Sequence, residues 1–172
     1  MDAEGRQRVV LREVTPDNVR AVCGLRVAAS QQQFVATAAI SLAEAYVHPQ
    51  AWCRAVYAAA EELVGFVMLH DTEDGPGYML WRLLIDERHQ RRGYGRAAVM
   101  EVAAYVRTRP GASTLKVGAR RGTGSPSSFY ESLGFTRTGE VAGDEDVLSL
   151  ELVRPDNGIS AVSHDHLGSL RR

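Results

Sequence analysis

Ile85-Asp86-Glu87-Arg88-His89-Gln90-Arg91-Arg92-Gly93-Tyr94-Gly95-Arg96 joins two segments of opposite character. Ahead of it, Tyr78-Met79-Leu80-Trp81-Arg82-Leu83-Leu84 reads together with Ile85 as a long, largely apolar strand, central in its sheet. Behind it, Ala97, Met100, Ala104 and the flanking valines recur at helical spacing from Arg96 to Arg107, until Pro110-Gly111 ends the pattern. A strand passing through a short turn into a helix aims several unpaired N–H groups at one spot, and such a spot binds phosphate. Gly93 and Gly95 let the backbone approach a ligand without a Cβ, while Arg91, Arg92 and Arg96 add charge where the helix dipole already favours an anion. A pyrophosphate fits a turn of this kind.

Other readings of the same residues compete. The plainest is a strand-to-helix link carrying surface arginines. Gly93-Tyr94-Gly95-Arg96-Ala97-Ala98 also matches the dinucleotide pattern G-x-G-x-x-A, but that pattern expects an acidic residue about 20 positions later to hold a ribose. None stands between Val102 and Tyr130. A phosphate loop of the Walker type fails too, because the only lysine, Lys116, lies inside a strand with no glycine loop before it.

Working outward, Val9 to Val14 reads as a first strand, and Thr15-Pro16-Asp17 starts a helix to about Ala28. Ser41 is expected to cap a second short helix through Leu42, Ala45 and Tyr46. Cys53 to Ala59 and Leu63 to His70 form a hairpin turned by Glu61-Glu62, and Leu115-Lys116-Val117 is a fifth strand. Thr123 to Pro126 caps a helix that reaches Leu133 and stops at Gly134, after which Phe135–Glu140 and Val147–Leu152 pair. Residues 155–172 change to a polar tail expected to be mobile, and its His164 and His166 read as incidental rather than as metal ligands.

The 172 residues suit one domain, with 45% apolar and 24% charged residues and a net charge of −1. Near-neutral charge argues against nucleic acid, which calls for a clearly basic surface. Cys23 and Cys53 have no metal-ligand spacing and read as two buried reduced thiols, so no metal is expected. A polar start and the lack of a run of about 18 apolar residues point to a soluble cytoplasmic protein with no membrane partner.

Gln90-x-x-Gly93-x-Gly95 resembles the Q/R-x-x-G-x-G/A signature of the GNAT acetyltransferases, and Phe129-Tyr130-Glu131-Ser132-Leu133-Gly134-Phe135 is similar to their later aromatic segment. The resemblance spans residues 8 to 153. It is greatest to bacterial spermine/spermidine (diamine) acetyltransferases, through Leu11–Thr15, Phe34-Val35-Ala36, Ser41–Tyr46 and Tyr78–Asp86. It implies the α/β GNAT acyl-CoA N-acyltransferase fold over residues 1–154, with a central mixed, mostly antiparallel sheet of six to seven strands flanked by helices. It further implies acetyl-CoA as co-substrate, a small-molecule amine as acceptor and, at family level, a homodimer.

Carried over residue by residue, the resemblance implies that Leu83, Leu84 and Ile85 hydrogen-bond the pantetheine arm through their backbone. Gln90, Arg91, Arg92, Gly93, Tyr94, Gly95 and Arg96 would hold the pyrophosphate, with Ser125 standing where many relatives have Asn. Tyr130 would protonate the departing thiolate, since a phenol with a pKa of about 10 keeps its proton at neutral pH. Some relatives carry a glutamate on the central strand where this chain has Trp81, so Glu44 is the expected base, with Asp71 behind it. Phe34 and Trp81 are expected to bind substrate. The acidic residues Glu44, Glu61, Glu62, Asp71, Glu73 and Asp74 suit a polyamine. The alternatives are an aminoglycoside-type antibiotic, an amino acid or a protein N-terminus as acceptor, or a module that binds acyl-CoA without transfer.

Overall fold

The computed structural model describes residues 7–58, 61–74 and 77–152; the expectations for 155–172, His164 and His166 fall outside these. Seven strands form one sheet: β1 (Val9–Glu13), β2 (Ala51–Ala58), β3 (Leu63–His70), β4 (Met79–Ile85), β5 (Thr114–Arg120), β6 (Thr136–Ala142) and β7 (Glu145–Glu151). Their order is β1-β2-β3-β4-β5-β7-β6, and every neighbouring pair is antiparallel except β4 with β5. The mixed, mostly antiparallel sheet expected from the sequence is the one observed, with β4 at its centre.

Each face of the sheet buries its own layer. On one, α3 (Tyr94–Arg107) lays down Ala98, Val99, Val102, Ala103 and Val106, all fully buried at helical spacing, against Leu80, Leu115 and Leu148. On the other, α1 (Val19–Cys23) and α2 (Ala38–Val47) cover Phe66, Met68 and Leu84. Burial of a Leu- or Phe-sized side chain contributes roughly 1.5–3 kcal/mol, so these two layers dominate the stability of the fold.

Three helices differ from their sequence-based bounds, each for a tertiary reason. α1 stops at Cys23 instead of Ala28, because Gly24 caps it and the next residues are drawn to the end of β4. There the Arg26 amide donates to Asp86 Oδ2 at 3.1 Å, and the Glu87 amide donates to the Arg26 carbonyl at 2.7 Å. α2 is capped by Thr37, whose Oγ1 accepts from the Ile40 amide at 3.3 Å. Ser41 is instead buried within α2, and its hydroxyl donates back to the Thr37 carbonyl at 3.0 Å. The helix α4 is only Ser127–Glu131, closed by Gly134 at φ 95° as the sequence suggests.

Two irregularities of β4 prepare a site. Met68 pairs with Arg82 and Leu69 with Leu80, so Trp81 is an extra residue, a bulge that turns Trp81 and Arg82 to the same face. Trp81 packs on the α1/α2 layer and Arg82 reaches Glu44 on α2, while Leu83 and Ile85 pack toward α3. Pairing with β5 ends early: Met79 meets Lys116 and Leu80 meets Val117, after which the strands part. β5 runs on to Arg120 along β7 alone, leaving one edge of Trp81–Ile85 with no strand partner among the described residues.

Candidate active site

The parted strands open a cleft of about 850 Å³, closed at the sides by the start of α3, by α4 and by the 31–36 segment. Backbone groups of a strand alternate in direction. The Asp86 amide donates to the Val64 carbonyl of the neighbouring segment and Leu84 pairs with Phe66 of β3, so Leu83 and Ile85 face the cleft. Leu84 therefore has no free backbone group for a ligand, and its side chain is buried in the α1/α2 layer. The Ile85 carbonyl accepts from Gln90 Nε2 at 2.9 Å, and the same amide nitrogen lies 2.7 Å from Gln31 Oε1. Gln90 thus braces the turn from within, and it is Gln31 that ties the 31–36 segment to it.

The turn itself is shaped for an anion. Arg91 and Gly93 both take positive φ, 58° and 87°, which swings successive amides toward one side. The first helical hydrogen bond runs from the Ala97 amide to the Gly93 carbonyl at 3.0 Å, so the amides of Tyr94, Gly95 and Arg96 precede the helical ladder and no side chain among the described residues caps them. A Cβ on Gly95 would come within 3.3 Å of Phe129 Cζ, so glycine is what lets α3 begin this close to α4. Arg91 and Arg96 line the cleft with Gly93, Tyr94 and Gly95, whereas Arg92 is not part of its lining.

Asp86 anchors the turn. It is 2% exposed and accepts from the Arg26 and Arg88 amides at 3.1 Å and from Arg88 Nε at 2.7 Å. Burial alone pushes its carboxyl up; the Arg88 guanidinium and the two amides outweigh burial and hold it below the usual carboxylate range. A folded-state pKa below the unfolded one gives stability that is present above the usual carboxylate range and lost as pH falls through the lowered value. Asp86→Ala strands two amides and is expected to cost about 2 kcal/mol in a urea titration at neutral pH.

Tyr130 lines the cleft from α4 at 6% exposure, its ring edge-on to Phe129 (5.1 Å) and Phe135 (5.6 Å). Burial, and after it the Glu145 carboxylate, push the phenol above its ordinary pKa, so it keeps its proton. Ser125 lines the same wall, but its Oγ also serves α4, accepting from the Ser127 amide at 3.3 Å. Phe34 and Trp81 both line the opening, Trp81 from the α1/α2 layer and Phe34 packing 3.5 Å from where a Gly124 Cβ would lie.

Glu44 does not line the cleft and is held by Arg82, with Oε2 3.1 Å from Nη2. Asp71 is likewise engaged, by Arg109 at 2.9 Å and by the Tyr105 hydroxyl at 2.6 Å. Glu44→Gln is expected to keep kcat within about fivefold, because a partly exposed ion pair is worth at most about 1 kcal/mol. Arg82, Arg120, Gly118 and Glu145 line the cleft and were not read as site residues from the sequence. Gly118 was the available signal, since a glycine inside a strand marks a close approach.

The cysteines also depart from expectation: Cys23 is exposed and Cys53 half-buried, with burial pushing the Cys53 thiol up to about 11. Among the described residues no three His, Cys, Asp or Glu side chains are grouped to hold a metal. No helix among them is long and apolar enough to cross a membrane.

Comparison with known proteins gives these features a family. The model of the acetyltransferase (GNAT) family matches residues 28–135, more than half of the chain. Solved structures share the fold. A Bacillus subtilis acetyltransferase in complex with CoA aligns with a TM-score of 0.60 at 18% identity, over 86% of this chain and 100% of that one. A Vibrio cholerae spermidine N-acetyltransferase in complex with CoA and spermine gives 0.63 at 17%, over 84% and 96%. An acetyltransferase from Thermus thermophilus gives 0.60 at 20%, over 84% and 97%. No curated protein sequence matches the chain. The chain belongs to the GNAT acetyltransferases and takes its acetyl group from acetyl-CoA. Its residues fit that co-substrate: an unpaired strand edge at Leu83 and Ile85 can take an amide-bearing arm, and the glycine turn can take phosphates.

Proposed function

We propose that this protein acetylates a primary amine of a small molecule within the cleft between β4 and β5, with Tyr130 as general acid. The observation that carries the reading is the continuity of the open β4 edge with the uncapped start of α3. Leu83 and Ile85 orient the pantetheine arm by backbone hydrogen bonds, the amides of Tyr94 to Arg96 with Arg91 and Arg96 hold the pyrophosphate, and Ser125 supports the arm from the loop before α4. Acetyl-CoA supplies a thioester carbonyl open to attack by a neutral amine. The Tyr130 hydroxyl donates its proton to the sulfur as the carbon–sulfur bond breaks.

The acceptor class we propose is a diamine or polyamine, on the strength of the sequence resemblance and of Phe34 and Trp81, whose rings suit a methylene chain bearing charge. The acidic residues first offered to a polycation work elsewhere: Glu61 pairs with Arg12, Glu44 with Arg82 and Asp71 with Arg109. Within the cleft the carboxylate left for the acceptor's charge is Glu145. A cytoplasmic location and a homodimer accompany this reading as proposals.

The test is calorimetric titration with acetyl-CoA, followed by CoA thiol release with spermidine, putrescine, kanamycin, amino acids and peptides with free N-termini. Acetyl-CoA binding with turnover of spermidine or putrescine is the expected outcome. Turnover of only a non-polyamine would discard the acceptor class and keep the reaction.

A further inference from the structure

Glu145 opens β7 directly opposite Arg120 of β5. Its side chain shares the sheet face of Arg120, Gly118 and Lys116, since the intervening Leu115, Val117 and Ala119 point into the α3 layer. The carboxylate folds over Gly118: a Cβ there would run into Oε2, with Met79 Cε 3.5 Å from the same point. Gly118 directly follows Val117, whose pairing with Leu80 is the last link between β4 and β5. The carboxylate therefore occupies the apex at which the strands part, on the face that also carries Trp81 and Arg82, and it lines the cleft with Tyr130.

Its neighbours in the acidic run are spent. Asp144 Oδ2 is 3.0 Å from Arg120 Nε, and Asp146 is held by Arg121 and by Arg137, the latter at 2.7 Å. Among the described residues Glu145 makes no ion pair and no side-chain hydrogen bond. The charged groups that face it are each compensated by another partner: Arg82 of β4 by Glu44 at 3.1 Å, Lys116 of β5 by Glu140 at 3.2 Å, and Arg120 by Asp144. Tyr130 of α4, a neutral phenol, is the remaining titratable neighbour. A carboxylate in a cleft that no cation of the described residues pairs is open to a cation from outside.

We propose that Glu145 receives the ammonium group of the acceptor at the apex of the cleft and takes its proton, making it a catalytic residue of the transfer. The assignment rests on the acetyl-transfer reading above. The ammonium gives one proton to Glu145, which releases it to solvent. The neutral nitrogen then forms its bond to the acetyl carbonyl carbon and the carbon–sulfur bond breaks. Tyr130 protonates the sulfur and regains a proton from the nitrogen as the amide forms, so the sum is amide, thiol and one released proton.

The test is Glu145→Gln, which keeps shape and removes the base, measured beside the parent for acetyl-CoA affinity and for turnover of the same amine panel. Expected is acetyl-CoA affinity within about twofold of the parent and a loss of about 100-fold in kcat/KM near pH 7, the lower end for a general base. The deficit should shrink toward pH 10, where an amine with a pKa of about 10.4 increasingly arrives already neutral. Parental kcat/KM near pH 7, a deficit that does not change with pH, or a parallel loss of acetyl-CoA affinity would each overturn the assignment. A parent that binds acetyl-CoA yet acetylates no amine of the panel overturns the transfer reading, and the role of Glu145 with it.

Discussion

Tyr130→Phe is expected to lower kcat by about 1000-fold, inside the range for a lost general acid, while acetyl-CoA affinity stays within about twofold. The phenol is buried between Phe129 and Phe135, so the variant keeps the packing and loses only the hydroxyl. Single-turnover thiol release separates chemistry from product release. A variant equal to the parent in that assay removes Tyr130 from the acid role. Burial, with Glu145 second, holds the phenol above the usual tyrosine range, so the parent's rate should show no fall from Tyr130 ionisation up to about pH 10. For stability the sign is the reverse of that at Asp86. A raised folded-state pKa gives stability that is complete below the ordinary tyrosine value and is lost as pH rises through the folded one. Tyr105 adds to this alkaline loss, pushed up to about 12 by burial and by its hydrogen bond to Asp71.

Gly93→Glu is expected to weaken acetyl-CoA binding by about 1000-fold. Two effects act together. The residue sits at φ 87°, where a side chain costs about 1–2 kcal/mol, so the turn relaxes and its amides diverge. The new carboxylate also lies at the positive end of α3 and satisfies the amides that would hold a pyrophosphate; two charge-assisted hydrogen bonds lost at about 1.5–3 kcal/mol each give an effect of this size. Unaltered acetyl-CoA affinity in calorimetry would move the pyrophosphate site away from this turn. Among the described residues the nearest atom to a built Cβ is Gln7 Cγ at 3.5 Å, so the variant should still fold.

Local chemistry accounts for what could be read in advance. The glycine turn, its arginines and the helix behind it are contiguous in sequence and depend on backbone freedom and helix ends, so Gly93, Gly95, Arg91 and Arg96 line one cleft together, while Tyr130, expected there from the resemblance alone, lines it from α4. The strands follow from patterns read one by one, and the mixed sheet from the family resemblance. Glu44 stands outside the cleft lining because its partner Arg82, 38 residues away, turns toward α2 only through the bulge at Trp81. Leu84 was included with its neighbours because strand direction, known only once β3 is paired, decides which carbonyls are free.

The family signatures and the glycine turn with its arginines are legible in the chain alone, since each is a short run whose backbone freedom and helix start act locally, whereas a role for Tyr130 comes only from the resemblance. Tertiary structure alone decided where β4 and β5 separate, which face Trp81 and Arg82 occupy, and that Glu145 rests over Gly118 at the apex. These depend on register between strands distant in the chain, and register is fixed by burial of both sheet faces at once, a condition no single segment carries.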